Sequence, residues 1–327
     1  MGHSGTGRII HLLASMMLAL VCATTAIAQE PRLKAATLRY VFEQWAQDSA
    51  VSQAGFVTLY KGEIIGTPLN PDHPFELASL SKAVTAVCAA QLIEEGVWTA
   101  DTTSAQVLET GPEHINVGQL ITHSSGIRPD STQGVRWFLR DTNAPFAAKV
   151  ANAALARQPV PKGKYFYNNE NYAILGQMIS TALDVPYLEA CTARALTPAG
   201  VTTAQTSSVM GGMLPWGGWS MSVRDYALFH HYWFGLQGAY GAGSPPTLRV
   251  DLRGGAAYGL GMFERSVGTR PNFWHFGAWC MPFRLNTGAF AAILGWEWSV
   301  VATYDVCLES DEMRTLDAAL SKVVYGR

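Results

Sequence analysis

The chain has 327 residues, a formal net charge of −2 at pH 7 and an aromatic content of 11%. That composition excludes a disordered or fibrous protein. Because the net charge is near zero and the basic residues are scattered, the sequence predicts neither a nucleic-acid-binding face nor a site for an anionic membrane surface. The length suits one large domain or two small ones.

The first 28 residues have the pattern of a secretory signal peptide. Arg8 precedes an apolar run over residues 9–21, and small residues follow up to Ala28. A basic start, an apolar core and an A-x-A cleavage signal are the three parts of such a peptide. The alternative is a membrane anchor, but the run is short for a span and His11 interrupts it. We therefore expect cleavage after Ala28, a secreted or periplasmic protein and no stable membrane anchor.

The rest of the chain divides into segments of helical and of strand character. In chain order, the spacing of apolar residues and the positions of turn residues predict an N-terminal helix near residues 33–45, strands at 56–60 and 63–65 around a tight turn at 61–62, a helix from Ser79 to Gly96, helical segments over 102–206, a helix at 223–234, strands at 259–263, 272–275, 289–294 and 299–304, and a closing helix over about 311–324. Strands therefore occupy both ends of the chain, and helices occupy its middle.

This order predicts an α+β fold of the α/β sandwich type. A single antiparallel sheet would be assembled from residues 29–70 and 216–327 and flanked by helices, with residues 71–215 inserted beside it as a mostly helical region. The mature domain would then cover residues 29–327. The sequence contains no internal repeat and no low-complexity linker that would divide it further.

Export would make disulfides possible. Cys22 would leave with the signal peptide, and Cys88 falls in an apolar run where a buried free thiol is expected. Cys280 and Cys307 lie in neighbouring predicted strand regions and could pair, although spacing alone cannot establish the connectivity.

The central chemical signal is a serine three residues before a lysine, Ser79 and Lys82, ahead of an apolar run. Residues three apart share one face of a helix, so the hydroxyl and the amine could meet. A serine hydroxyl becomes nucleophilic when a neighbouring base takes its proton, and burial can lower the pKa of a lysine until its amine acts as that base. Backbone N–H groups at a helix N-terminus would favour the developing negative charge. The alternative is an N-cap serine followed by a solvated lysine.

Two further segments hold polar residues with a spacing of two. On extended backbone, Tyr167 and Asn169 would point into one cavity and offer a phenol and an amide to a substrate. His275 and Gly277 lie on a predicted strand, where the glycine would let a ligand approach the backbone closely. Each segment also has a purely structural interpretation, which is an Asn-rich turn for the first and a buried structural histidine for the second.

Taken together, these motifs resemble the penicillin-recognising serine hydrolases, on the side of the class C β-lactamases, the D-Ala-D-Ala carboxypeptidases and the family VIII esterases. The matches follow the family's order along the chain: Ser-x-x-Lys at 79–82, Leu-Ile-Thr-His-Ser-Ser-Gly at 120–126, Tyr-x-Asn at 167–169, Gly-Gly-Trp-Ser-Met-Ser-Val-Arg-Asp at 217–225, Tyr-Gly-Leu-Gly at 258–261 and His-x-Gly at 275–277. The loops at 120–126 and 217–225 are interpreted as scaffold.

The resemblance implies a role for each matching residue. Ser79 would be the nucleophile and Lys82 its general base. Tyr167 would help that base and handle the protons of the leaving group and of the deacylating water.

The remaining matches would bind the substrate. Asn169 would orient Lys82 and the substrate, and His275 and Gly277 would line the strand on the far side. The oxyanion hole would consist of the backbone N–H groups of Ser79 and Ala278, and donors of this kind typically contribute a few kcal/mol to the transition state.

Departures from the family pattern bear on the substrate. His275 stands where β-lactamases of this side usually have lysine, and Phe276 stands where they have a threonine or serine hydroxyl. Asn168 and Asn171 likewise replace a usual serine and glycine. The lysine and the hydroxyl normally engage the carboxylate of a β-lactam or a D-Ala-D-Ala terminus, so we expect general ester or amide hydrolysis ahead of efficient β-lactam hydrolysis.

The sequence therefore predicts an exported serine hydrolase that acts through an acyl-enzyme on a small ester, amide or D-amino-acid peptide. The alternatives are a β-lactamase or D-Ala-D-Ala carboxypeptidase, and a penicillin-binding-type protein that acylates with little turnover. We expect neither a metal nor an organic cofactor, because the sequence has no metal-ligand spacing and no Gly-Lys-Ser/Thr phosphate loop. The expected partner is a small-molecule or short-peptide substrate, and the sequence predicts no oligomeric state.

Overall fold

The computed structural model describes residues 29–133, 145–157, 159, 163–281, 285–308 and 310–326. The helices of this part of the chain are α1 (residues 29–48), α2 (Ser81–Glu94), α3 (Ser104–Leu108), α4 (Val117–Ile121), α5 (Pro145–Leu155), α6 (Asn169–Leu183), α7 (Tyr187–Cys191), α8 (Val223–Phe234) and α9 (Ser310–Tyr325). The expected signal peptide at residues 1–28 lies outside the described residues. None of the described helices is both long and apolar enough to cross a bilayer.

The strands of the described chain build a large sheet and a small one. They are β1 (Ala54–Tyr60), β2 (Glu63–Ile64), β3 (Pro74–Glu76), β4 (Gln205–Thr206), β5 (Trp219–Ser222), β6 (Arg249–Asp251), β7 (Ala256–Gly259), β8 (Met262–Val267), β9 (Arg270–Met281), β10 (Leu285–Leu294) and β11 (Trp298–Tyr304). The large sheet is antiparallel with the order β2-β1-β11-β10-β9-β8-β7-β6, and the small sheet has the order β3-β5-β4.

The large sheet joins the two ends of the chain. β1 pairs with β11 along its whole length, from Ala54 opposite Tyr304 to Tyr60 opposite Trp298. The predicted α+β fold, with an antiparallel sheet built from both ends of the chain and flanked by helices, is therefore confirmed.

Side chains that alternate along the strands form a separate hydrophobic core on each face of the large sheet. On one face, Phe56 and Phe290 pack with Phe42 of α1 and Leu316 of α9. On the other face, Val57 belongs to a larger core that also contains the buried residues of α2, α6 and α8. The sheet is thus the middle layer of a sandwich, and the helical region covers the second face.

Helix α2 lies inside the larger core. Its residues from Ser81 to Ala90 are all buried, as expected for a helix that other elements enclose on every side. The chain leaves the helix through Gly96, which has the left-handed φ of +74° that glycine adopts without strain. Because α2 is enclosed, any ionisable side chain on its first turn lies in a water-poor environment.

The predicted strand at residues 259–263 is not a single strand. Residues 259–263 form a hairpin, because β7 ends at Gly259 and β8 begins at Met262. The turn residues Leu260 and Gly261 have φ values of +51° and +77°. A Cβ on Gly261 would lie 2.5 Å from the backbone nitrogen of Ala83, so this turn packs directly against the first turn of α2.

The cysteine pairing also corrects a prediction. Cys88 is not a free thiol, because it forms a disulfide with Cys191 that ties α2 to α7 with a Cα–Cα distance of 5.2 Å. The two residues are 103 positions apart, so no local pattern could reveal the pair. Cys280 and Cys307, whose pairing the sequence left open, form a second disulfide at a Cα–Cα distance of 5.1 Å.

Candidate active site

Ser79 lies on a tight turn that leads into α2. Residues Ala78–Leu80 form a 3-10 turn, and the α-helix begins at Ser81, two residues later than Ser79. Ala78 has a φ of +46°, a left-handed conformation that is strained for a residue with a Cβ. The Tyr226 hydroxyl holds the turn by donating to its last carbonyl at 3.1 Å. The packing around the turn therefore fixes an unusual backbone beside the serine hydroxyl.

Lys82 is fully buried, and its Nζ lies 3.0 Å from Ser79 Oγ. The amine also donates a hydrogen bond to the Trp216 carbonyl at 2.9 Å. Burial lowers the pKa of Lys82 to about 7, and the Asp130 carboxylate partly opposes that change. The two side chains that the spacing predicted to meet are in contact, and near neutral pH a large fraction of the amine is uncharged and can accept a proton.

Tyr167 completes a group of three polar side chains. Its hydroxyl is hydrogen-bonded to Ser79, and Lys82 Nζ lies 4.8 Å from the centroid of its ring. Burial raises the pKa of Tyr167 well above its usual range, although the hydrogen bond with Ser79 acts in the opposite direction. The phenol is therefore protonated at neutral pH, so that it can donate a proton while the amine accepts one.

Strand β9 lies against the turn that carries Ser79. β9 pairs with β8 as far as Trp274, and the residues beyond that point approach the serine. A Cβ on Gly277 would lie 2.5 Å from the Leu77 carbonyl oxygen and 2.9 Å from the Ser79 backbone nitrogen. Only glycine allows this approach, which places the backbone of Gly277 and Ala278 next to the Ser79 N–H.

Asn169 does not share an extended segment with Tyr167, because it is the first residue of α6. Its N–H donates to Asp130 at 2.9 Å, and its Nδ2 donates to Thr132 Oγ1 at 2.8 Å. Within the described chain, no hydrogen bond joins Asn169 to Lys82, and the Trp216 carbonyl is the acceptor that the amine contacts instead. The side chain anchors the start of α6 to the segment that follows α4.

His275 lies on the site face of β9. Its ring centroid is 6.0 Å from that of Tyr167, and it is 2% exposed. Burial, together with the nearby Lys82, lowers the pKa of His275 to about 3, so the imidazole is neutral. Phe276 points to the opposite face and contacts Phe290 at 5.2 Å between ring centroids. Phe276 therefore packs into the core behind the sheet and adds no side chain to the cleft.

His123, to which the sequence assigned no chemical role, also contacts the site. The ring centroid of His123 lies 4.5 Å from that of Tyr167 and 4.9 Å from that of Tyr258. Its Nδ1 accepts a hydrogen bond from the Asn168 N–H at 3.2 Å. Burial, with Lys82 and His275 nearby, lowers the pKa of His123 well below its usual range. The two imidazole rings beside Tyr167, those of His123 and His275, are therefore uncharged.

Asp130 is a charged neighbour that sequence reasoning missed. Its carboxylate accepts hydrogen bonds from the N–H groups of Asn169 and Thr132, both at 2.9 Å. It also raises the pKa of both Lys82 and Tyr167. No motif marked this residue, because its contact with Asn169 spans 39 positions of sequence.

We expect Asp130→Asn to shift the pH dependence of Ser79 acylation toward lower pH, by up to about one pH unit. The amide keeps an acceptor oxygen but removes the negative charge that favours protonated Lys82, so the amine would lose its proton at a lower pH. The other titratable groups near the amine, which are His123, Tyr167 and His275, keep their charge state in this range.

The measurement is the rate of labelling by a fluorophosphonate probe as a function of pH. Asp311→Asn is the matched control, because it removes an exposed carboxylate from α9 and should leave the profile unchanged. An Asp130→Asn profile that coincides with the parent profile would contradict this role.

The described residues contain no group of three or more His, Cys, Asp and Glu side chains that could hold a metal ion. The reactive groups that the structure does bring together are a hydroxyl, an amine with a lowered pKa and a protonated phenol, beside the backbone of a strand edge. That set can transfer an acyl group through a serine nucleophile.

The fold and this arrangement place the chain among the serine hydrolases with a penicillin-recognising fold. A family profile described as Beta-lactamase matches residues 39–295. The chain therefore belongs to the β-lactamase family, whose members are serine hydrolases. No curated protein sequence matches the chain significantly.

Solved structures share the fold at low sequence identity. A penicillin-binding protein homologue from Pyrococcus abyssi, described as octameric, is 16% identical with a TM-score of 0.71, over 89% of this chain and 77% of that one. A β-lactamase/D-alanine carboxypeptidase from Yersinia pestis is 15% identical with a TM-score of 0.69, over 89% and 99%. A D-stereospecific amidohydrolase from Streptomyces sp. is 17% identical with a TM-score of 0.67, over 90% and 99%. At these identities the likeness establishes the fold.

Proposed function

We propose that this protein hydrolyses a small ester, amide or D-amino-acid peptide through an acyl-enzyme on Ser79. The observation that carries the proposal is the 3.0 Å contact between Ser79 Oγ and the fully buried Lys82 Nζ, whose pKa is lowered to about 7. A lysine in this state is a proton acceptor at neutral pH, and an acceptor at this distance activates a serine hydroxyl.

In the acylation step, the Ser79 hydroxyl passes its proton to uncharged Lys82 while Oγ forms a bond to the substrate carbonyl carbon. The carbonyl oxygen takes the negative charge beside the N–H groups of Ser79 and Ala278, where the close approach of Gly277 brings the strand backbone to the serine. As the bond to the leaving group breaks, Tyr167 donates its proton to the departing oxygen or nitrogen, and Lys82 returns a proton to Tyr167.

Deacylation uses the same residues in reverse. Uncharged Lys82, with Tyr167, takes a proton from a water molecule, and the resulting hydroxide attacks the acyl carbon. The bond from carbon to Ser79 Oγ then breaks, and the proton returns to the serine oxygen. The uncharged rings of His123 and His275 support this assignment, because neither adds a cation that would stabilise the phenolate form of Tyr167.

The substrate class follows from the charges near the serine. In place of a cationic lysine the strand carries His275, which is neutral. A substrate carboxylate would therefore find no cation on this strand position, which places esters and neutral amides ahead of β-lactams. Among the structural relatives, proteins described as β-lactamase/D-alanine carboxypeptidase and as D-stereospecific amidohydrolase keep peptide and amide substrates as the second candidates.

The test combines a chromogenic short-chain ester with a fluorophosphonate probe on purified protein lacking residues 1–28. We expect turnover of the ester and labelling of the parent protein, and loss of both in Ser79→Ala. Ser81→Ala is the matched control, because Ser81 is buried two residues away and should be dispensable for turnover. Labelling without turnover of any ester, amide or β-lactam would instead indicate a protein that acylates and stalls, and an unchanged Ser79→Ala would refute the proposal.

Export is part of the same proposal. The pairs Cys88–Cys191 and Cys280–Cys307 support it, because disulfides persist in oxidising compartments such as the periplasm. Intact-mass measurement on protein from the culture fluid or periplasm should give a chain that starts at Gln29. Recovery of the full-length chain from the cytoplasm alone would contradict export.

A further inference from the structure

We propose that Trp279 closes the acyl end of the active site and restricts the enzyme to substrates with short acyl groups. This inference rests on the proposed function and extends it to a residue and a substrate class. Side chains along β9 alternate between the two faces of the sheet. Because residues two apart point to the same face of a sheet, Trp279 follows His275 and Gly277 on the site face, whereas Phe276 packs against the opposite core.

The order of these residues along β9 gives the site a direction. His275 lies at the end where its ring faces Tyr167, with centroids 6.0 Å apart. Tyr167 would protonate the leaving group, so the leaving group lies at the His275 end. Gly277 marks the reaction centre, because it contacts the Ser79 backbone. Trp279 is four residues beyond His275, which is about 13 Å along a strand, and therefore lies at the acyl end.

Trp279 spans the gap between the two walls of the site at that end. Its indole Nε1 donates to the Gly217 carbonyl at 2.9 Å. A Cβ on Gly217 would lie 2.4 Å from Trp279 Cζ2, so the ring lies directly on the backbone of Gly217. The preceding residue, Trp216, supplies the carbonyl that accepts from Lys82. One wall is therefore the strand beside Ser79, the other is the segment that positions Lys82, and the indole connects them.

The consequence is steric. An acyl group bound to Ser79 and pointing away from Tyr167 must run toward the indole, which is partly exposed and held in place by its hydrogen bond and its contact with Gly217. Short acyl groups end before the ring, whereas longer chains would have to displace it and break that bond. Trp279 is thus a specificity-determining residue, and the predicted substrates are esters and amides of short acids.

The experiment compares kcat/KM for p-nitrophenyl acetate, butyrate and octanoate in the parent protein, Trp279→Ala and Trp279→Phe. We expect the parent to prefer acetate and butyrate to octanoate by at least about tenfold, and Trp279→Ala to raise the ratio of octanoate to acetate by at least about tenfold. Trp279→Phe removes the indole N–H and the ring atoms that contact Gly217, so it should raise the ratio of octanoate to acetate by a smaller factor than Trp279→Ala.

Phe276→Leu is the matched control, because it changes the same strand on the face away from the site. It should lower the melting temperature and leave the chain-length profile unchanged. If Trp279 had only a structural role, Trp279→Ala would lower kcat/KM for all three substrates by the same factor, and that result would overturn the inference. A parent protein that hydrolyses octanoate as well as acetate would also overturn it. The same assay measures Ser79-dependent turnover of acetate by the parent protein. Absence of that turnover would count against the proposed function, whereas normal turnover with an unchanged chain-length profile in Trp279→Ala would count only against the role of Trp279.

Should Trp279→Ala fail to fold, Trp279→Leu is the second variant. It keeps an apolar side chain on the strand, but leucine is smaller than the indole and fills less of the acyl end. It should therefore shift the chain-length profile in the same direction by a smaller factor. Melting temperature and probe labelling of Ser79 establish that each variant is folded before its profile is compared.

Discussion

Replacing Lys82 by methionine is expected to lower the acylation rate of Ser79 by about a thousandfold. Methionine fills nearly the same volume as lysine. The decrease in rate therefore measures the contribution of the amine that lies 3.0 Å from Ser79 Oγ. Stability should be kept or improved, because the substitution removes a buried ionisable group from the first turn of α2. The rate is measured by stopped-flow labelling with a fluorophosphonate, and stability by thermal unfolding.

Two further variants make the result specific to proton transfer. Lys82→Arg keeps a positive charge but cannot lose it near neutral pH, so it should be as inactive as the methionine variant. Lys322→Met removes an exposed lysine from α9 and should label at the parent rate. If Lys82→Met acylates at the parent rate, Lys82 is not the base.

A second large effect is expected from Gly277→Ala, which should lower kcat/KM by at least about a hundredfold. The new methyl would lie 2.5 Å from the Leu77 carbonyl oxygen, so β9 must move away from the Ser79 turn. That movement would separate the two N–H groups proposed to stabilise the oxyanion. We also expect a loss of stability of about 1–3 kcal/mol from overpacking.

Gly238→Ala separates the two effects. A Cβ there would lie 2.5 Å from the Trp233 carbonyl oxygen, which is an equal crowding far from the serine. It should cost similar stability and leave kcat/KM near the parent value. Equal activity losses in the two variants would show that overpacking, and not the displacement of β9, explains the result for Gly277→Ala.

The sequence predicted those features that depend on local spacing. The one-turn separation of Ser79 and Lys82 fixed their contact, because the turn and helix geometry set the distance between residues three apart. Period-two alternation placed His275 and Gly277 on one face of a strand, and the turn at residues 61–62 has the left-handed φ values of a tight hairpin. The resemblance to a family supplied the order in which these pieces assemble.

Features that depend on long-range contacts were missed or misread. The partner of Cys88 lies 103 positions away, and Asp130 reaches the start of α6 from 39 positions away. Alternation with His275 predicts that Phe276 lies on the opposite face, where it contacts Phe290. The same alternation extends to Trp279 and was the available signal for that residue.

The most direct test of the account is the pH dependence of Ser79 labelling in the parent protein. In the proposed mechanism a buried amine, uncharged near neutral pH, activates the hydroxyl. The labelling rate should therefore rise with pH and level off, with an apparent pKa of about 7. A rate that rises only near the pKa of an ordinary lysine, about 10.4, or that does not change with pH, would contradict it.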